Sequence, residues 1–327
     1  MPGVWTSDVL GAPFEQQTLP LPAGTDGEIV ATLVRSIPGA LSALTGPLRD
    51  VDVLSVHGWS DYFFHREVAR FWNALGARFY ALDLRRYGRS LREGNTPGYI
   101  ASLDEYDADI DAALAAIGSG RRRLVLQGHS TGGLTLALWT ARHPGRVDRL
   151  VLNAPWLEFQ TGAFARQAIA PVVGARARFD PFGSHPQVDL GFYTRALTEL
   201  GTAPRGDMPA AWRPARGFAT HPGWLNAVLE GHRRVDGGLD IACPVLVLLS
   251  RRTVNPFVWS PEMTAADAVL VVDEIARAAT RLGPHVTIAR IDGAVHDVFL
   301  SAPDARQAAY RSVDAWMRSR VPGALFV

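Results

Sequence analysis

Strands and helices alternate one for one along most of this 327-residue chain. That pattern predicts an α/β protein with a mostly parallel central sheet and helices on both faces. Two observations carry the prediction. Short apolar runs rich in branched residues recur, such as 51–56, 124–126 and 244–249, each followed by a loop and then by helical spacing. The pattern then breaks once, at about 155–240, in a stretch rich in Pro, Gly and aromatic residues that reads as an inserted lid. The chain therefore divides into a first core part at 1–154, a lid or cap at 155–240 and a second core part at 241–327. With 47% hydrophobic residues, it can bury one large core plus such an insert.

Taken in order, residues 14–37 read as two strands around the turn at 22–27, followed by a Gly/Pro/Ala-rich connection. Residues 51–56 form a buried strand ending in His57-Gly58-Trp59-Ser60-Asp61. Helical spacing covers 66–75, and the next strand, 77–83, runs into the loop 85–90. A helix over 103–117 keeps Ile110, Leu114 and Ile117 on one face. A further strand and helix follow, the helix stopped by Pro144-Gly145. The strand at 147–152 ends the first core part. After the insert come a strand at 244–250, a helix at 269–282, a strand at 285–291 and a final helix at 303–318. Elbow, loops and strand ends all fall at the carboxyl edge, where open α/β sheets bind ligands.

The most informative stretch is Gly128-His129-Ser130-Thr131-Gly132-Gly133, which joins the third of those buried strands to its helix. It fits G-x-S-x-G, a sharp strand-to-helix turn that lifts a serine hydroxyl above the sheet edge. Glycine suits the flanking positions because a side chain there would meet the neighbouring strand and helix. A serine hydroxyl needs a base, and the base needs an orienting acid. Of nine histidines, three precede the serine, His143 lies at the far end of the elbow helix, His185, His221 and His232 fall in the insert, and His285 begins a strand. His296 alone follows the carboxyl end of the last strand, so it is the expected base.

The acid is less direct. No carboxylate occurs in Ser250-Arg251-Arg252-Thr253, just after the strand where one is expected. Asp267 sits in the loop before the helix leading to the last strand and is favoured, with the loop lengthened by an insertion. Glu158, after the strand at 147–152, is the runner-up. Thr131 N–H and Trp59 N–H are the expected oxyanion donors. Trp59, His129 and Trp156 are expected to line the substrate pocket, with Tyr62, Phe63 and Phe64 near its mouth.

Composition excludes other chemistry. All 33 basic residues are arginine, so a lysine Schiff base, a P-loop lysine and a Ser-Lys dyad are ruled out. The single cysteine, Cys243, cannot form an intrachain disulfide or a cysteine metal cluster and reads as a small packed residue. No histidine–carboxylate cluster accompanies His57, so neither metal nor cofactor is expected. The net charge is +1, and the arginine runs at 121–123 and 233–234 read as solvated turns rather than a nucleic-acid site. No apolar run approaches bilayer length, and the first residues lack a signal core. The expectation is a soluble cytoplasmic monomer or homodimer with no nucleic-acid partner and no stable membrane insertion.

The set His57-Gly58-Trp59, Asp83-Leu84-Arg85-Arg86-Tyr87-Gly88-Arg89-Ser90, Gly128-His129-Ser130-Thr131-Gly132-Gly133 and Gly293-Ala294-Val295-His296 resembles the α/β-hydrolase superfamily. Within it, the chain is similar to the monoacylglycerol lipase/lysophospholipase branch, also called the serine aminopeptidase S33-like group. The resemblance covers about 25–154 and 240–320. It implies an α/β-hydrolase fold and serine hydrolase chemistry with Ser130, Asp267 and His296 as the triad. Cleavage of a small-molecule ester with an apolar acyl or alcohol group is the expected activity. The same triad also serves acyltransferases, thioesterases and amide or C–C hydrolases, and a non-catalytic ligand-binding member of the fold is the remaining alternative.

Overall fold

A computed structural model describes residues 4–24, 27–118, 120, 122–160, 162–183, 189–204, 206 and 208–319. His185 and Arg121 lie outside these residues. Among the described residues, nine strands form one sheet. In chain order they are β1 (Thr6–Ser7), β2 (Glu15–Pro20), β3 (Val30–Ser36), β4 (Val51–Val56), β5 (Arg78–Asp83), β6 (Arg123–His129), β7 (Arg149–Asn153), β8 (Val245–Ser250) and β9 (Val286–Ile291). Their spatial order is β1-β2-β3-β5-β4-β6-β7-β8-β9. The first three pair antiparallel, as does β3 with β5; every pair from β5 through β9 is parallel.

The helices are α1 (Ala40–Thr45), α2 (Arg66–Ala74), α3 (Asp107–Ile117), α4 (Ser130–Arg142), α5 (Gly162–Phe179), α6 (Phe192–Glu199), α7 (Pro222–Asp236), α8 (Val272–Ala279) and α9 (Pro303–Arg318). Side chains of the parallel strands alternate between two cores. Leu54, Val56, Leu126 and Val247 meet α3, α4 and α8 on one face. Val53, Val125, Leu246 and Leu248 meet α2 and α9 on the other. Covering both faces explains why these strands read as continuous apolar runs. α4 is buried from Ser130 through Thr140, as befits a helix that is apolar almost all round.

The described part of 155–240 contains α5, α6 and α7, where the sequence shows no clean βα unit. α5 packs on α7, and α7 packs on α4, so this segment sits over the elbow helix. β1 and α1 escape the sequence patterns: β1 has two residues, and α1 is six residues with none buried.

The predicted helix at 269–282 is shorter than expected. The Asp267 carboxylate accepts the N–H groups of Val269 and Leu270 at 2.7 and 2.8 Å, and the helix starts only at Val272. Phe63 is also corrected: it packs among Phe14, Phe79 and Val68 in the core rather than at a cleft mouth. Its N–H donates to Asp83 Oδ1 at 2.8 Å. Arg89, almost fully buried, ties Asp83 to Asp8 with contacts of 2.8 and 2.6 Å. This buried cluster locks the loop after β4 to the loop after β5. The arginine runs also find partners: Arg122 meets Asp52, Arg123 meets Asp50 and Arg233 meets Glu230.

Candidate active site

Ser130 is the first residue of α4 and has φ +51°, the left-handed region that side chains rarely adopt. The turn is packed closely, largely against backbone. A Cβ at Gly128 would come 2.7 Å from Gly133 Cα, and one at Gly132 would overlap the His57 carbonyl oxygen. A Cβ at Gly58 would stand 3.0 Å from Ser130 Cβ. The His-Gly loop and the nucleophile turn are therefore packed chain on chain. His57 secures its own loop: its Nδ1 lies 2.8 Å from the Gly58 carbonyl, and its Nε2 accepts the Leu84 N–H at 3.1 Å.

Among the described residues, Trp59 N–H donates to no protein acceptor. Thr131 N–H lies in the first turn of α4, where N–H groups have no intrahelical acceptor. Both expected oxyanion donors thus remain available. Ser130 and His296 are buried, and the His-Gly loop carries Trp59 into a cluster in which the Trp59 and Trp224 rings lie 3.7 Å apart. Trp156 and Phe218 complete it, at 6.0 Å from Trp224 and 5.8 Å from Trp59. Trp156 N–H donates to the Ser130 carbonyl at 3.0 Å, which ties the start of the 155–240 segment to the elbow.

His296 follows β9, and its Nδ1 lies 3.0 Å from Asp267 Oδ2. The missing carboxylate after β8 is accounted for by this segment's path. Past Thr253 the chain loops outward, exposing Phe257 and Val258, and returns so that Asp267 bridges Thr253 in parallel. Asp267 N–H donates to the Arg252 carbonyl, and Val254 N–H to the Asp267 carbonyl. The excursion puts a carboxylate beside the strand end although its sequence position lies more than a dozen residues on. Among the described residues, neither His296 Nε2 nor Ser130 Oγ makes a hydrogen bond. The Asp267–His296 contact is therefore formed, while no hydrogen bond joins His296 to Ser130. Glu158, the other candidate acid, is taken by Arg166 at 2.7 Å, and Arg166 also meets Asp236.

His129 turns inward. Its ring centroid is 4.9 Å from that of His296, and its Nδ1 lies 3.1 Å from the Asn153 carbonyl. Burial pushes its pKa down to about 4, so the imidazole is neutral at neutral pH. It lines a small enclosed cavity of about 30 Å³ with His65, Asp61, Gln127, Asn153 and Asp297.

Sequence reasoning missed a second acid–base pair here. His65 Nε2 lies 3.0 Å from Asp297 Oδ2, and Asn153 Nδ2 and Phe299 N–H donate to Asp297 Oδ1 at 2.6 and 2.9 Å. Burial opposes the His65 charge, but the Asp297 carboxylate outweighs it and raises the His65 pKa. Burial likewise favours a neutral Asp297, yet the histidines and hydrogen bonds hold its carboxyl well below the usual range. The only sequence signal was an aspartate immediately after the chosen histidine.

The fold is that of the α/β-hydrolases. Residues 49–187 match the family model described as serine aminopeptidase, S33, a segment that holds the elbow and the His-Gly loop and ends before Asp267 and His296. Over 167 residues, 47% of this chain and 58% of the relative, the sequence is 27% identical to a monoacylglycerol lipase of Mycolicibacterium smegmatis. It is 40% identical to a probable esterase of Oryza sativa over 101 residues, 30% of this chain and 36% of that one. The chain thus spans 58% and 36% of the length of these two curated relatives. A monoacylglycerol lipase structure from Paleococcus ferrophilus superposes with TM-score 0.62 at 21% identity, covering 87% of this chain and 98% of that one. A soluble variant of the Saccharomyces cerevisiae monoglyceride lipase gives 0.65 at 12% identity, covering 92% and 96%. At such identities these two superpositions speak for the fold. In sequence, the matched segments are similar to a monoacylglycerol lipase and to the serine aminopeptidase S33 family model. No helix among the described residues is long and apolar enough to cross a membrane.

Proposed function

We propose that this chain is a serine hydrolase that cleaves carboxylic esters bearing an apolar acyl or alcohol group through an acyl-enzyme. The observation that carries the reading is the 3.0 Å contact of His296 Nδ1 with buried Asp267, beside a serine held at positive φ between glycines. In the proposed mechanism, Asp267 keeps the proton on His296 Nδ1, which leaves Nε2 as the base. His296 Nε2 takes the Ser130 hydroxyl proton as Oγ attacks the ester carbonyl carbon. The carbonyl oxygen becomes an oxyanion, received by the Trp59 and Thr131 N–H groups. The imidazolium then protonates the leaving alcohol. Water, deprotonated by the same nitrogen, attacks the acyl-enzyme, and collapse of the second tetrahedral intermediate releases the acid and Ser130.

The preference for apolar esters rests on the ring cluster of Trp59, Trp156, Phe218 and Trp224, joined to the Ser130 turn through the Trp156 N–H. The segment at 155–240 acts in this reading as the lid, and the rings must part for a substrate to reach Ser130. The test is hydrolysis of p-nitrophenyl esters from acetate to palmitate, wild type beside Ser130→Ala. Substitution of the nucleophile should lower kcat by about 10⁴-fold or more, with the chain-length optimum measuring the space under the rings. A folded wild type inactive on every ester would remove ester hydrolysis from consideration.

A further inference from the structure

Helix α6 of the 155–240 segment grips the acid–base pair from both sides. Tyr193 Oη accepts the Asp297 N–H at 3.1 Å. The Tyr193 ring stands edge-on to the His296 imidazole, with centroids 5.6 Å apart and planes at 80°. Just over one turn later, Leu197 packs with Val295 and Leu300. Its neighbour Ala196 packs with Ala266 and Ala268. Past the helix end, Thr202 Oγ1 donates to the Leu300 carbonyl at 2.7 Å. One eight-residue helix therefore bonds Asp297, next to His296, and shares hydrophobic clusters with Val295 on the other side of His296 and with Ala266 and Ala268, which flank Asp267.

The two loops it bridges come from different strands, β8 and β9, and neither loop is part of the sheet ladder at these residues. Ser250 Oγ donates to the Ala294 carbonyl at 2.7 Å and Asp267 bridges Thr253, and α6 adds a third support that spans both loops. The phenol is suited to the task because burial and the nearby Asp297 charge keep it protonated, so its oxygen stays a neutral acceptor. Removing that oxygen strands the N–H next to His296 without its acceptor, and a loop shift is the natural relief.

We propose that Tyr193 is a positioning residue for His296, and that α6 couples the seating of the inserted segment to assembly of the Asp267–His296 pair. The proposal rests on the serine-hydrolase reading for its kinetic consequence, but the coupling itself is readable without turnover. Tyr193→Phe keeps the ring and deletes only the acceptor. Its kcat on p-nitrophenyl butyrate should fall about tenfold, with KM within about twofold. Tyr193→Ala should fall further, and Glu199→Ala, on the exposed face of the same helix, should match wild type.

The second readout is the tautomer of His296, followed by ring-nitrogen NMR. In the wild type, Asp267 requires the proton on Nδ1, and Tyr193→Phe should show a mixture of tautomers. A Tyr193→Phe protein with wild-type kcat and an unmixed Nδ1–H tautomer overturns the proposal, whether or not Tyr193→Ala folds. If the wild type cleaves no ester, the hydrolase reading fails, and the NMR comparison alone still decides the coupling.

Discussion

Two histidine–carboxylate pairs lie side by side in this protein, at the same 3.0 Å separation and both buried: Asp267–His296 and Asp297–His65. Each carboxylate is further solvated by two hydrogen bonds, Asp267 from the Val269 and Leu270 N–H groups, Asp297 from Asn153 and the Phe299 N–H. The difference lies in the ring nitrogen that faces the acid and in its geometry: His296 Nδ1 makes a hydrogen bond, whereas His65 Nε2 makes an ion-pair contact without hydrogen-bond geometry. His296 offers Nδ1 and keeps Nε2 for the cleft. His65 offers Nε2, and its ring is stacked on Phe64 at 4.1 Å. A dyad is thus not a catalytic signature by itself. What separates a candidate base from a structural ion pair is the nitrogen left over and what that nitrogen faces.

The largest expected effect separates the two pairs directly. Asp267→Asn should lower kcat by about 10⁴-fold with the fold intact, because an amide no longer fixes the tautomer of the base. Glu158→Gln, whose carboxylate serves Arg166, should leave kcat within about twofold. Asp297→Asn should show the opposite profile, a loss of about 3 kcal/mol of stability from an uncompensated buried His65, read by denaturant melts. If Asp297→Asn instead abolished turnover in a protein of wild-type stability, the division of roles would be wrong.

A smaller effect concerns pH, and the histidines around the cavity act with opposite signs. The raised pKa of His65 means that its pairing contributes fully below about pH 6.5 and is lost as pH rises through its folded value. His129 is depressed to about 4, so from pH 6.5 downward the unfolded chain binds a proton that the folded chain refuses, and stability falls with acid. His129→Gln should therefore narrow the gap between melting temperatures at pH 7 and pH 5. A gap as wide as that of wild type would show that His129 is not the group responsible.

The core was readable from sequence because its rules are local. Strands buried on both faces announce themselves as apolar runs, and a chain-on-chain turn announces itself as Gly128, Gly132 and Gly133. The candidate acid was harder because Asp267 reaches its place through a long excursion after Thr253, from which a parallel bridge returns it. The His65–Asp297 pair and Tyr193 were not visible for a different reason. They are contacts between segments separated by 232 and 104 positions, and neither has a spacing rule. The helices of the insert were hidden by their Gly- and Pro-rich surroundings, even though Pro222 at the start of α7 is a recognised helix-opening position.

The overlap that any side chain at residue 132 would make with the His57 carbonyl has a consequence for tolerance to change. On that side of the cleft the parts meet as main chain, with no rotamer to adjust and no methylene to trim, so drift at either loop cannot be absorbed. On the histidine side the parts meet through phenol, leucine and alanine side chains, where small exchanges can be compensated by neighbours. Natural variation and laboratory selection should accordingly find their room to retune this protein in α6 and the loops it touches, while Gly132 stays as it is.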